Sequence, residues 1–386
     1  MFDPAEIRTA PFTAATERAR LALLNAQLAY AAARSPYYRE HLAEAPAKLE
    51  SFSDLTALPF TDAETLLQEE RRMVCVPAGE IARIVSLTTS GSTGAAKRLY
   101  FTRSDLRRTV HFFAEGMAWM CAPGDVCAVL MPCTAPDGIG DLLCRALTAI
   151  GVRPLPIGIP VDTVAAEDAL RAAAPQVLVG FPWHVRLLAL RCPSLRPRAV
   201  LLSGDYVPSA LCACIERQWH CTVLSHFGMT ETGYGCAVQH PAGQTLYLRR
   251  DELLAEVIDP KTGIPQPAGT AGELVLTTLR REAMPLLRYR TGDLAVLTPE
   301  GDLARVDGRR SVFPEEYRLQ EALSPLLWLW DFRSDPVSLT ADLAPDAPSD
   351  AAARLAALAP GRKILTQTVS ADDAAPAFSG KRFTQK

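Results

Sequence analysis

Between about residue 80 and residue 240, short apolar runs alternate with longer segments of helical periodicity. The runs 84–87, 127–132, 176–180, 199–204 and 222–224 predict strands, and 140–150, 183–191 and 209–218 predict helices between them. Strands that end in Gly, Ser or Pro and lead into helices are the pattern of a largely parallel α/β sheet, whose ligands sit at the carboxyl ends of the strands. Upstream, the alanine- and leucine-rich segment 14–34 predicts a helix stopped by Ser35-Pro36. After about residue 245 the texture changes. Segments 253–259 and 272–278, parted by the turn-rich stretch 260–269, predict an antiparallel, barrel-like subdomain. Beyond residue 311 the chain is compositionally separate, and 343–353 has the Ala, Asp and Pro content of a disordered stretch. The expected fold class is therefore α/β. A large N-terminal domain, 1–310, would hold mostly parallel sheets flanked by helices plus the antiparallel subdomain. A small α+β C-terminal domain, 311–386, would follow, modest in size for independent folding.

Composition narrows the function classes. Apolar residues make up 48% and charged residues 22% of the 386 positions, ordinary for a globular protein able to bury a normal core. A net charge of −3 supplies no basic field for nucleic acid and no polybasic segment for a membrane surface. The acidic start, Met1-Phe2-Asp3-Pro4-Ala5-Glu6, lacks a signal pattern, and no apolar run reaches membrane-spanning length, so a cytoplasmic protein is expected. The ten cysteines are scattered, as small buried hydrophobes are. Cys212, Cys214, Cys221, His226, Cys236 and His240 are zinc-ligand types, but their spacing matches none of the paired C-x-x-C patterns of structural zinc.

Chemistry concentrates in a few places. Thr88, Thr89, Ser90, Gly91, Ser92, Thr93 and Gly94 form an unbroken run of hydroxyl-bearing residues and glycines, closed by Lys97. Glycines let successive N–H groups turn inward, hydroxyls add donors, and the lysine adds one positive charge, which together suit a polyphosphate. The order differs from the Walker pattern. Downstream, His226-Phe227-Gly228-Met229-Thr230-Glu231-Thr232-Gly233 sets a hydroxyl beside a carboxylate on a glycine-flanked turn, suited to a phosphate oxygen and a magnesium ion. In Arg288-Tyr289-Arg290-Thr291-Gly292-Asp293, a turn aspartate offers two acceptor oxygens to a vicinal diol. Arg305-Val306-Asp307-Gly308-Arg309-Arg310 is a basic turn just before the composition shift.

In this order, and together with Ser35-Pro36-Tyr37-Tyr38-Arg39-Glu40-His41 and Ser379-Gly380-Lys381-Arg382, these motifs resemble the adenylate-forming superfamily, in particular its phenylacetate-CoA ligase-like branch. The resemblance spans nearly the whole chain and implies an AMP-forming acid–thiol ligase. A carboxylic acid would be activated by ATP as acyl-AMP with release of pyrophosphate, then passed to coenzyme A. Transfer to a carrier-protein thiol or an amine, and a nucleotide-binding protein without catalysis, are the alternatives. Thr88 to Gly94 and Lys97 would wrap the β- and γ-phosphates, Thr230 would touch the α-phosphate and Glu231 would hold Mg²⁺. Ser203-Gly204-Asp205 would line the adenine pocket, and Phe227, leading into Gly228 and Met229, would stack on the base. Asp293 would bind the ribose, Arg305 would lie near the nucleotide, and Lys381 would swing in to stabilise charge on the α-phosphate. One departure stands out: Gly308-Arg309 is followed by Arg310-Ser311 where the family carries an acidic hinge residue, and the segment before Phe313 is shortened.

Overall fold

The computed structural model describes residues 14–88, 96–310, 314–370 and 373. Helices α1 (Ala14–Arg34), α2 (Pro36–His41) and α3 (Ala63–Glu69) lead into strands β1 (Ile81–Thr88) and β2 (Ala96–Thr102), then α4 (Arg103–Ala118). An alternating stretch follows: β3 (Val126–Leu130), α5 (Ile139–Ala149), β4 (Arg153–Pro156), α6 (Thr163–Ala173), β5 (Val177–Gly180), α7 (Pro182–Arg191), β6 (Ala199–Leu202), α8 (Ser209–Trp219) and β7 (Thr222–Phe227). Then come β8 (Ala237–Gln239), β9 (Leu246–Leu248), β10 (Leu253–Ile258), β11 (Ala271–Thr278), β12 (Tyr289–Leu297) and β13 (Leu303–Arg309). The tail holds α9 (Pro314–Leu323), β14 (Leu329–Ser334), β15 (Ser338–Leu343), α10 (Ala351–Leu358) and β16 (Lys363–Thr368).

Two compact units emerge, one of residues 1–115 with 227–311 and the other of 116–226 with 312–386. In the second, β7, β6, β5, β3 and β4 lie side by side in that order and all their pairings are parallel. Every residue of β3, β5 and β6 is buried, as expected where helices cover both faces of a sheet. In the first, β10, β11, β12, β13, β9 and β8 form an antiparallel sheet, and β1 pairs with β2 as a separate hairpin. Helix α1 has the predicted bounds, and α5, α7 and α8 fall within one residue of theirs. Among the described residues, no helix is long and apolar enough to cross a membrane.

The tail departs from its composition. Segment 343–353, expected to be disordered, is ordered: Leu343 ends β15, Ala344 N–H donates to the Trp328 carbonyl at 2.8 Å, and Ala351 starts α10 buried. Ala344 and Ala351 there are buried, a use that composition does not distinguish from disorder. The tail also shares a core with 116–226. Leu319, Leu323, Leu329, Phe332 and Leu355 join Trp183, Val185 and Leu188 in one buried cluster. Trp183 Nε1 donates to Gln320 Oε1 at 3.0 Å, and the Trp183 and Phe332 rings meet edge to face at 4.9 Å. Arg186, wholly buried, donates to the carbonyls of Ser324, Leu326 and Leu329 at 2.6–2.8 Å. The Glu321 carboxylate accepts the Ser209 and Ala210 N–H groups at the start of α8, where a negative charge also meets the helix dipole favourably.

Candidate active site

Strands β1 and β2 pair up to Thr88 opposite Ala96, so the hydroxyl–glycine run joins two paired strand ends. Thr89, Ser90, Gly91, Ser92, Thr93 and Gly94 lie outside the described residues, as does Lys381. Lys97, one position into β2, is described. Its ammonium forms an ion pair with Glu231, and both side chains are largely buried.

Glu231 sits on a single 3₁₀ turn, Thr230–Thr232, that follows Met229. The turn is held from behind. Gly233 adopts φ +86°, a left-handed conformation natural for glycine, and a Cβ there would stand 3.0 Å from Thr109 Oγ1 and 3.1 Å from Arg281 Nη1. Thr109 Oγ1 donates to the Gly233 carbonyl at 3.0 Å, and Arg281 Nη2 donates to the Glu231 carbonyl at 2.9 Å. Arg281 also lies over the Phe101 ring, 4.6 Å from its centroid. The nearby Asp105 carboxylate accepts the Glu282 and Ala283 N–H groups at 2.9 and 3.0 Å. Burial works against the charged Asp105, but Arg281 and these N–H donors hold its carboxyl below the usual carboxylate range. Asp105 and Arg281 therefore fix the turn that presents Thr230 and Glu231.

Asp293, on β12, faces Arg309 across the β12–β13 ladder, and Arg309 Nε lies 3.2 Å from its carboxylate. The Asp293 N–H donates to Thr291 Oγ1, which itself donates to the Leu274 carbonyl. Burial raises the Asp293 carboxyl, Arg309 opposes that shift, and the charge of Glu231 adds to it. Burial and the same Glu231 charge also raise the Tyr289 phenol. Glu231 and Asp293, far apart in sequence, thus feel each other's charge within one unit. Lys97 stands against the first and Arg309 against the second.

The remaining predicted residues lie on β13, at and just after the end of β7, and just after β6. Arg305 is exposed and pairs with Asp307 at 2.7 Å, opposite Val296 rather than Asp293. Phe227 ends β7, its carbonyl accepting the Cys236 N–H at 3.0 Å, and Met229 is buried beyond Gly228. In the second unit, Ser203 Oγ and His226 Nδ1 share a 2.8 Å hydrogen bond. Burial lowers His226 to about 4, leaving the imidazole neutral near pH 7. Gly204 has φ +86° and lies under Phe181, whose ring would be 2.4 Å from a Cβ there, so glycine is required. The Asp205 carboxylate accepts the Tyr206 N–H at 2.8 Å. Sequence reasoning missed Arg281, Thr109 and the pairing of Arg309 with Asp293. Arg309 carried a signal in the basic turn, but its partner depends on strand register. Arg281 carried none.

Among the described residues, no three His, Cys, Asp or Glu side chains cluster as a metal site. Cys212 and Cys214, two apart on α8, point to different sides of the helix, Cys214 being fully buried. Burial pushes the Cys212 and Cys221 thiols up to about 12 and about 11, which keeps them protonated.

Known proteins resemble this chain in sequence and in fold. The sequence pattern that defines the AMP-binding enzymes matches residues 18–279. A phenylacetate-coenzyme A ligase of Thermus thermophilus is 31% identical over an alignment of 296 residues that covers 71% of this chain and 64% of that enzyme. One of Pseudomonas putida is 28% identical over 78% of this chain and 70% of its own length. The chain thus matches just under two thirds of the Thermus enzyme. The crystal structure of 2-hydroxyisobutyryl-CoA ligase in the postadenylation state, in complex with R3-HIB-AMP, superposes with a TM-score of 0.81 at 19% identity, over 100% of this chain and 95% of that one. ATP-bound MatB from Rhodopseudomonas palustris gives 0.54 at 19% identity, over 79% of this chain and 68% of that one. These likenesses show a shared fold, and the sequence match places the chain: it belongs to the AMP-binding enzyme family.

Proposed function

We propose that this protein uses ATP to activate a carboxylic acid as acyl-AMP and passes the acyl group to coenzyme A. In the first step a carboxylate oxygen attacks the α-phosphorus, the bond to the β-phosphate oxygen breaks, and pyrophosphate leaves. In the second, the coenzyme A thiolate attacks the acyl carbon and AMP departs. Both reactants of the first step are anions, so positioning and charge neutralisation supply most of the catalysis. The observation that carries this reading is the convergence of Lys97, Glu231, Asp293 and Arg309, drawn from four separate stretches of chain, in one unit.

Roles follow from that chemistry. Thr88 to Gly94 and Lys97 would surround the β- and γ-phosphates, with Thr230 at the α-phosphate, Asp293 on the ribose diol and Arg305 toward the nucleotide. Ser203, Gly204, Asp205 and Phe227 would form the adenine pocket, and Lys381 would supply positive charge during adenylation. Glu231 fits a Mg²⁺ ligand, since a largely buried carboxylate opposed by the charge of a second one gains from a divalent cation. The ion would neutralise phosphate charge. Division into a nucleotide-handling body, 1–310, and a shortened tail domain, 311–386, belongs to the same proposal, as does a cytoplasmic location.

The similarity to phenylacetate-coenzyme A ligases supports coenzyme A as acceptor. The test is acid-dependent ATP–pyrophosphate exchange over aryl, short-chain and medium-chain acids, followed by acceptor assays. Exchange with thioester formation on coenzyme A is expected. Exchange with transfer only to a carrier-protein thiol or an amine would overturn the acceptor. Nucleotide binding without exchange for any acid would overturn the activity.

A further inference from the structure

Two cysteines outside the nucleotide-handling residues are built as a pair. Cys133 lies in the segment Met131-Pro132-Cys133-Thr134 that follows β3, and Cys144 lies on α5. Gly140 and Cys144 are four residues apart, hence on one face of α5. Cys133 presses against that face. The Gly140 N–H donates to the Pro132 carbonyl at 3.1 Å, and a Cβ on Gly140 would stand 2.6 Å from Cys133 Sγ and 2.9 Å from its Cα. Only glycine admits so close an approach. One turn further along the same face stands Cys144, close enough to act on the Cys133 thiol, whose Sγ donates to the Met131 carbonyl at 3.0 Å. Both residues keep part of their surface exposed.

The two sulfurs are electrostatically unequal. Cys144 and the Gly158 N–H favour the Cys133 thiolate, against burial, the nearby Asp141 charge and the Met131 carbonyl that accepts from the protonated thiol. Cys133, together with burial, holds the proton on Cys144. A thiolate-favoured, partly exposed sulfur beside a second thiol is the arrangement of a peroxide-reactive cysteine with its resolving partner. Cys121 and Cys127 provide an internal contrast. They too act on each other, but they are 9% and 0% exposed, and Cys127 is pushed well up.

We propose that Cys133 and Cys144 are a reversible redox pair, oxidised to a disulfide by a hydroperoxide. The Cys133 thiolate attacks the distal peroxide oxygen, the O–O bond breaks, and Cys133 becomes a sulfenic acid. With hydrogen peroxide, the displaced hydroxide takes up a proton and leaves as water. The Cys144 sulfur then attacks Cys133 sulfur, the S–O bond breaks, and the hydroxyl leaves as a second water with the Cys144 proton. Two thiols lose two electrons to one peroxide, giving one disulfide and two waters.

The experiment exposes the reduced full-length protein to hydrogen peroxide, traps sulfenic acid with a cyclic 1,3-diketone, and maps all ten cysteines by peptide mass spectrometry. In the unsubstituted protein a Cys133–Cys144 linkage should form before any other and vanish with dithiothreitol. C144S should leave Cys133 as a diketone adduct, whereas C133S should leave Cys144 unlabelled. Oxidation of Cys133 no faster than that of buried Cys127 would overturn the proposal. So would a first disulfide between other cysteines, or a C144S protein with no adduct at Cys133.

Discussion

At the scale of single residues, the site works by holding charges that burial would otherwise disfavour. Asp293 is the clearest case. Its carboxyl is raised by burial and by Glu231, with Arg309 only partly restoring it. A carboxyl raised on folding binds its proton more tightly in the native state, so its charge costs stability as the pH climbs from the ordinary carboxylate range through the raised value. Asp293→Asn should therefore unfold at a higher temperature than the parent near neutral pH, with the difference shrinking in acid. The same substitution should weaken nucleotide binding about 10- to 100-fold, the worth of a charged hydrogen bond of about 1.5–3 kcal/mol. Calorimetric titration with ATP tests this, and unchanged affinity would remove the ribose assignment. Glu231→Gln should lower Mg²⁺-dependent exchange by about 100-fold, at the upper end of what even outer-shell metal partners cost, while leaving metal-free ATP binding nearly intact. His226 carries the opposite pH signature. Lowered to about 4 from an ordinary 6.5, it stays neutral in the fold while the unfolded chain takes up its proton. Stability tied to it is present above about pH 6.5 and lost as the pH falls toward 4, a total of about 3 kcal/mol at 1.36 kcal/mol per unit. A stability–pH profile in which His226→Asn shows the same acid slope as the parent would contradict that origin.

At the scale of elements, periodicity made the α/β alternation legible because β3, β5 and β6 are buried on both faces and so read as continuous apolar runs. Strand β12 escaped notice. Its burial alternates, and charged Arg290 and Asp293 interrupt the apolar signal. Motif residues were legible one by one, whereas their partners were not. That Asp293 meets Arg309 follows from register across β12 and β13, and that Arg281 braces the Glu231 turn follows from tertiary placement alone. Helix α7 shows a similar limit: its apolar face was visible, but the purpose of a cation at Arg186 was not. Three carbonyl acceptors and the Trp183 ring, 5.0 Å from its guanidinium carbon, now explain it. Arg186→Met keeps the bulk yet strands those carbonyls. It should cost about 3 kcal/mol or more, one or two charged hydrogen bonds, in urea unfolding. A loss below about 1 kcal/mol, no more than one ordinary hydrogen bond, would mean the acceptors find other donors.

At the scale of the whole chain, the tail raises a question of autonomy. Composition and family resemblance both mark a boundary near residue 310. Residues beyond it nevertheless complete the core of 116–226, where Leu319, Leu323, Phe332 and Leu355 are each at most 3% exposed. Each such side chain contributes roughly 1.5–3 kcal/mol when fully buried. Removing them would expose Trp183 and the face of α7 and leave Arg186 without its acceptors, a loss comparable to the 5–15 kcal/mol that typically separates a folded domain from its unfolded chain. A chain ended at residue 310 should therefore aggregate or unfold at a much lower temperature, and should expose Trp183 to fluorescence quenchers. If it instead melts at the parent temperature with Trp183 still shielded, residues 311–386 fold apart from 116–226, and the shared core described here is not a source of stability.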